Sequence, residues 1–257
     1  MSFINSYKPP QVESLPGYYG PDPYDINFVF PINLSSLETE RVKLTPLIPS
    51  IHVQTYADQV NQHPELQRWL PFGHKTVDEI LSFVEMRVRR DPGWVMFAVI
   101  DKGRPDPAHP EFEGGSMAGV IGLISTSAAN LSTEVGWVVT FPAFQRTHVT
   151  SHAVGLLLRY CLEPASAPVP GLGLRRVQWT ANTRNIPSIT AAQRTGFKLE
   201  GTLRWTWVLP EGKEGHVPRK NDPKSENPGR DSAMLSICCD DWENGGREHV
   251  KQLLDRQ

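Results

Sequence analysis

Apolar residues recur along this chain in two different periods, and the switches between them divide it into elements. Across 41–47, Val42 and Leu44 alternate with polar neighbours as in a short strand. From 51 to 60 the repeat becomes helical, with Ser50 in the position of a cap. Leu66, Trp69 and Leu70 then carry the apolar face past a break at Pro64. Residues 76–90 read as a second helix: Thr76 and Glu79 have capping-box spacing, Ile80, Phe83, Val84 and Val88 form one stripe, and Asp91, Pro92 and Gly93 end it. Strands follow at 94–100 and 117–125, a hairpin whose tip is rich in proline and glycine.

A strand at 131–140 leads through a short connection, 141–147, into a helix marked by Val149, Ala153, Leu156, Leu157 and Tyr160. Beyond a break at 164–173 come a strand at 174–181, a short helix at 187–195 closed by Gly196, and a long strand at 197–209. A polar loop, 210–229, precedes a strand at 232–239, and Asp240 or Asp241 is placed to cap a final helix through Leu254. Only the unit 131–181 demands a parallel crossover; elsewhere hairpins dominate. The expected fold is α/β (α+β), a single domain over 35–257 with inserted loops near 101–115 and 210–230. Its centre is a mixed, mostly antiparallel sheet of about seven strands flanked by helices. Residues 1–34, with Pro9, Pro10, Pro16, Pro21, Pro23 and Pro31 and no sustained period, read as an extended arm.

Composition narrows the function. A chain of 257 residues, 39% of them hydrophobic, can build a sizeable core. Its net charge of -2 comes from 26 basic and 28 acidic residues mixed along the sequence, which argues against nucleic acid or a membrane surface as partner. Cys161, Cys238 and Cys239 have neither metal-ligand spacing nor the even count of a disulfide framework, and His216 and His249 show no ligand spacing either, so no metal is expected. With no targeting segment and no apolar run of spanning length, the reading is a soluble, cytoplasmic protein.

Three segments, in this order, carry a family resemblance: Glu134-Val135-Gly136-Trp137-Val138 followed by Pro142-Ala143-Phe144, then Asn185-Ile186-Pro187-Ser188 leading to Thr195-Gly196-Phe197, and, more weakly, 232–242. From residue 37 to the carboxyl end the chain resembles the GNAT superfamily of N-acetyltransferases, in its RimJ/RimL-like subgroup. The resemblance implies fourth and fifth strands splayed apart, with acetyl-CoA in the gap as co-substrate. It also implies direct transfer of the acetyl group to a primary amine of a small molecule or a protein amino terminus. Backbone groups of Trp137, Val138 and Val139 would then bond the pantetheine.

In this family the pyrophosphate sits on amides at the start of the helix after the fourth strand, where the dipole favours negative charge. The usual loop is Gln/Arg-x-x-Gly-x-Gly/Ala, whose missing side chains admit the phosphates. Here it is Gln145-Arg146-Thr147-His148-Val149-Thr150, with His148 and Thr150 where small residues are expected. On one reading the amides still face the phosphates while Arg146, Thr147 and Thr150 add donors. On the other the bulk excludes the cofactor, leaving a non-catalytic module that binds a ligand or partner.

Glu134 is the candidate general base, since a partly buried carboxylate at the wedge has its pKa raised toward a useful range. A glutamate on a polar strand face is the plainer alternative. Ser188 matches a serine that the resemblance places near the cofactor sulfur, where a hydroxyl can donate to the departing thiolate; Asn185 would fix the loop or contact the pantetheine. Either residue also suits a helix cap. Acceptor choice is expected from the first two helices, including Trp69 and Phe72, and from the loop between the last strands. The acceptor's identity and a homodimer are left open.

Overall fold

Seven strands form one sheet in the order β1-β2-β3-β4-β5-β7-β6. They are β1 (Val42–Pro46), β2 (Val95–Asp101), β3 (Ser116–Ser127), β4 (Ser132–Thr140), β5 (Arg176–Asn182), β6 (Lys198–Val208) and β7 (Gly229–Cys238). Every neighbouring pair is antiparallel except β4 and β5. The computed structural model describes residues 2–8 and 15–256, so Pro9 and Pro10 of the arm lie outside it.

Helices α1 (Pro49–Gln62) and α2 (Val77–Phe83) cover one face of the sheet, and α3 (Val149–Leu162), α4 (Ile186–Arg194) and α6 (Arg247–Leu254) the other; α5 (Cys239–Asp241) is a single turn. Strand β2 is buried at every position, as a strand covered on both faces must be. Helix α3 is buried on almost all sides, between the sheet and α6. Gly155 admits this packing, because a Cβ there would stand 3.0 Å from Leu254 Cδ2. The arm runs along α2, where Leu15 N donates to Ser82 Oγ and Gly17 N to Asp78 Oδ1, and then crosses to the α3 side, where Tyr160 donates to the Pro31 carbonyl.

Helix ends differ in places from the pattern-based reading. Ser50 does not cap α1. Extended Ile48 is the cap residue and Pro49 takes the first turn, where its missing N–H costs nothing. The Thr76–Glu79 capping box is present, but α2 passes after Phe83 into a π-turn over Val84–Arg89. Neither Asp240 nor Asp241 caps the last helix. Asp241 instead accepts from the Cys238 amide, and the chain kinks at Asn244 and Gly245 before α6 begins at Arg247.

Candidate active site

The β4–β5 ladder is brief: Ser132, Thr133 and Glu134 pair with Arg176, Val177 and Gln178, and there it ends. Beyond Glu134 the edge of β4 that faces β5 has no strand partner among the described residues, so its backbone polar groups open into a wedge. A bulge sits at the same place. Val120 pairs with Val139 and Gly122 with Gly136, leaving Trp137 and Val138 opposite Ile121 alone, and Trp137 takes a left-handed φ of 53°. That conformation is costly for an aromatic residue and persists only where the surroundings over-determine it. The surroundings here are the ring's own contacts: Nε1 donates to Tyr56 OH at 3.2 Å, and the Phe83 and Phe72 rings lie 4.6 and 4.7 Å away between centroids.

Glu134 stands at the mouth of the wedge. Gln178 Nε2 donates to its Oε2 at 3.2 Å. Burial pushes its carboxyl above the ordinary value of 4.5, opposed by hydrogen bonds from Thr180 and Gln178 and by the charge of Arg230. Because successive β5 side chains alternate across the sheet, Gln178 and Thr180 reach Glu134 on one face while Trp179 points to the other. There Trp179 Nε1 donates to Ser188 Oγ at 3.0 Å. Asn185 is the helix cap of α4, its Oδ1 accepting from Ser188 N at 3.3 Å. Glu134 and Ser188 thus flank the wedge from opposite faces.

At the far end of β4 the chain turns through Pro142–Phe144 into α3. Arg146 is exposed and takes a left-handed φ of 61°, the conformation that a glycine would supply most readily. Amides of Arg146, Thr147, His148, Thr150 and Ser151 have no hydrogen-bond acceptor among the described residues. The side-chain hydroxyls expected to assist them are occupied. Thr147 Oγ1 donates to the Phe144 carbonyl at 2.6 Å and accepts from Val149 N, while Thr150 Oγ1 bonds Thr140 Oγ1 at 2.8 Å. Gln145 Nε2 donates to the Thr140 carbonyl. The His148 ring turns away from the loop: Arg41 Nη2 donates to Nδ1 at 2.9 Å, so the ring is neutral with its proton on Nε2, which faces buried Asp101 at 3.5 Å. Burial and the Arg41 charge hold this imidazole below its ordinary pKa.

Phe72 joins Trp137, Phe83 and Trp207 in an aromatic wall beside the wedge, and Trp69 contributes its carbonyl, which accepts from Arg230 Nη1 at 3.4 Å. Arg230 went unnoticed in the pattern because it falls between the polar loop and the expected start of β7. The Gly229–Arg230–Asp231 triplet gives no hint that Arg230 is buried, 5% exposed as a residue. Cys161 is fully buried, and burial pushes its thiol pKa up, as in a core residue. Cys238, Asp240 and Asp241 bring ligand-type atoms within 4.8 Å of one another, but Asp241 is already bonded to Lys198 and to the Cys238 amide. Among the described residues no helix is long and apolar enough to cross a membrane.

A family model, the acetyltransferase (GNAT) domain, matches residues 41–198, which include the whole of the wedge, α3 and α4. The chain belongs to the GNAT family. The matched stretch contains both the diverging β4 and β5 and the open start of α3. No curated protein matches the chain in sequence. Among solved structures, a probable GNAT-family acetyltransferase from Chromobacterium violaceum is 25% identical with a TM-score of 0.65, over 92% of this chain and 100% of that one. RimJ from Mycobacterium smegmatis, in complex with CoA-disulfide, is 15% identical with a TM-score of 0.58, over 82% and 88% of the two chains. Spermidine N-acetyltransferase from Vibrio cholerae, in complex with CoA and spermine, is 14% identical with a TM-score of 0.57, over 80% and 100%. The last two likenesses are of fold alone.

Proposed function

We propose that this GNAT protein transfers an acetyl group from acetyl-CoA directly to a primary amine, in a ternary complex without a covalent enzyme intermediate. The observation that carries the reading is the coincidence of three features at one place: a ladder that stops after Glu134, a bulge with a left-handed Trp137 in the next residues of β4, and a desolvated carboxylate at the mouth. A decayed site has no reason to keep a strained aromatic residue and a half-buried acid together.

Acetyl-CoA supplies the thioester. The exposed edge of β4 at Trp137, Val138 and Val139 is available to bond the pantetheine amides, and the unpartnered amides from Arg146 to Ser151 are available to the pyrophosphate, with Arg146 as the side-chain donor. His148 and Thr150 do not fill this space, since their side chains are tied back to Arg41 and Thr140. Glu134 accepts a proton from the amine, directly or through water, as its nitrogen bonds to the acetyl carbon. Ser188 keeps its own O–H free while accepting from Trp179, and donates it to the sulfur as the carbon–sulfur bond breaks. Phe72 and Trp69 line the acceptor side.

The rival is a GNAT-fold module that binds a ligand or partner without chemistry, and the occupied Thr147 and Thr150 hydroxyls are the observation in its favour. Titration calorimetry with acetyl-CoA, followed by thiol release across a panel of amines, separates the two. Binding and amine-dependent release are expected. Absence of binding at cellular cofactor concentrations sinks the transferase reading.

A further inference from the structure

Arg230 is unexplained by acetyl transfer as such. Its one hydrogen bond among the described residues is the long one from Nη1 to the Trp69 carbonyl at 3.4 Å. Its Nε is shut off from solvent and has no partner, and among the described residues no carboxylate lies within ion-pair distance. Buried cations are otherwise paired, because the solvation they give up has to be replaced. Burial lowers the guanidinium pKa to about 10, which leaves it charged at neutral pH.

A second orphan lies beside it. Ser232 is 0% exposed, and its Oγ is also without a partner among the described residues. Residues 230 and 232 of β7 project to the same face, and Ser232 pairs across the sheet with Asn182 while Met234 pairs with Thr180. This is the face on which Gln178 and Thr180 hold Glu134. Glu134 and Arg230 feel each other's charge without forming a pair. The acceptor side of the wedge therefore has a carboxylate at one end and, at the other, a guanidinium held by one long hydrogen bond and a hydroxyl without a partner among the described residues.

We propose that the acceptor is an amine bearing a carboxylate a few bonds from its nitrogen, a free amino acid, and that Arg230 and Ser232 receive that carboxylate. The inference rests on the transferase reading and narrows it. A planar guanidinium matches a carboxylate in bidentate geometry and supplies the counter-charge that burial requires. A polyamine would bring a second ammonium toward a buried cation. A protein amino terminus offers at that distance only a neutral amide carbonyl.

The test is thiol release from acetyl-CoA with a set of amino acids, each beside its carboxamide and its decarboxylated amine, and with spermidine and a short peptide. A preference for the acid of roughly 100-fold in kcat/KM is expected, the scale of a charge-assisted pair. Arg230→Met should abolish it mainly through KM for the acid, and Arg230→Lys should keep part of it. Binding of acetyl-CoA by each variant shows that it is folded; should Arg230→Met fail that check, the wild-type preference and Arg230→Lys decide. The proposal is overturned if carboxamide, peptide or polyamine serves as well as the acid, or if folded Arg230→Met keeps the preference. Failure of every amine to raise thiol release above the amine-free rate would sink the transferase reading itself, a separate result.

Discussion

The Trp179 indole donates to Ser188 Oγ at 3.0 Å, so the part of Ser188 left to give is its own proton. The cap of α4 runs from Asn185 Oδ1 to the Ser188 backbone and does not involve that hydroxyl. Ser188→Ala keeps the cap, and kcat for amine acetylation should fall roughly 10- to 100-fold with acetyl-CoA affinity unchanged. Steady-state thiol release checks this; unchanged kcat would remove Ser188 as the acid.

Glu134→Gln should lower kcat/KM by a factor on the order of 100 or more. The pH profile carries the sharper reading. A base whose pKa lies above the ordinary 4.5 stays protonated, and so idle, until the pH rises through its shifted value. The wild type should show an ascending limb centred above 4.5, and the glutamine variant should lack it.

The Arg146 side chain is exposed and has no hydrogen-bond or ion-pair partner among the described residues, which suits the proposed role as donor to the pyrophosphate. Arg146→Ala should weaken CoA binding about 10- to 100-fold, the range for hydrogen bonds to a charged partner, while pantetheine binding stays the same. Calorimetry with both ligands decides, and equal losses would mean that Arg146 does not meet the phosphates.

Acid should unfold this protein early. Burial depresses the pKa of His52, His74 and His152 from 6.5 to about 4. A depressed pKa means stability that is fully present above 6.5 and lost as the pH falls through 4, because the unfolded imidazole takes the proton first. The denaturation midpoint should therefore drop between pH 6.5 and 4, and His52→Gln should flatten the slope by about 1–2 kcal/mol over that interval. Urea titrations at several pH values measure it.

Gly119 lies opposite the upper part of β4, where an added Cβ would stand 2.1 Å from the Val139 carbonyl oxygen. That neighbour is backbone and cannot swing away. Gly119→Ala should cost about 2–4 kcal/mol and also weaken acetyl-CoA binding, because the displaced segment borders the bulge. Thermal unfolding together with calorimetry tests both parts.

The order of elements was legible because each period change in the chain is local: alternation in 41–47, a helical stripe in 76–90, and the strand–helix–strand unit around Glu134. Features that depend on distant residues were not. Nothing near Thr147 shows that its hydroxyl will be taken by the Phe144 carbonyl, or near His148 that Arg41 will draw the ring aside. Ser50 has the composition of a cap, but Pro49, one residue earlier, is better suited to the first turn. Arg230 is the clearest case, since an arginine type in a polar stretch reads as surface, yet the fold buries it and brings its Nη1 to the Trp69 carbonyl.

Trp137 has two allegiances. Its backbone bends β4 at the gap, and its ring is anchored among Tyr56, Phe72 and Phe83. A replacement there cannot reshape the aromatic wall without also relaxing the bend, so under the proposed function a change at Trp137 should alter acceptor preference and acetyl-CoA binding together. Phe72, which contributes a ring to the wall and no part of β4, is the place where the first can be altered while the second is left alone.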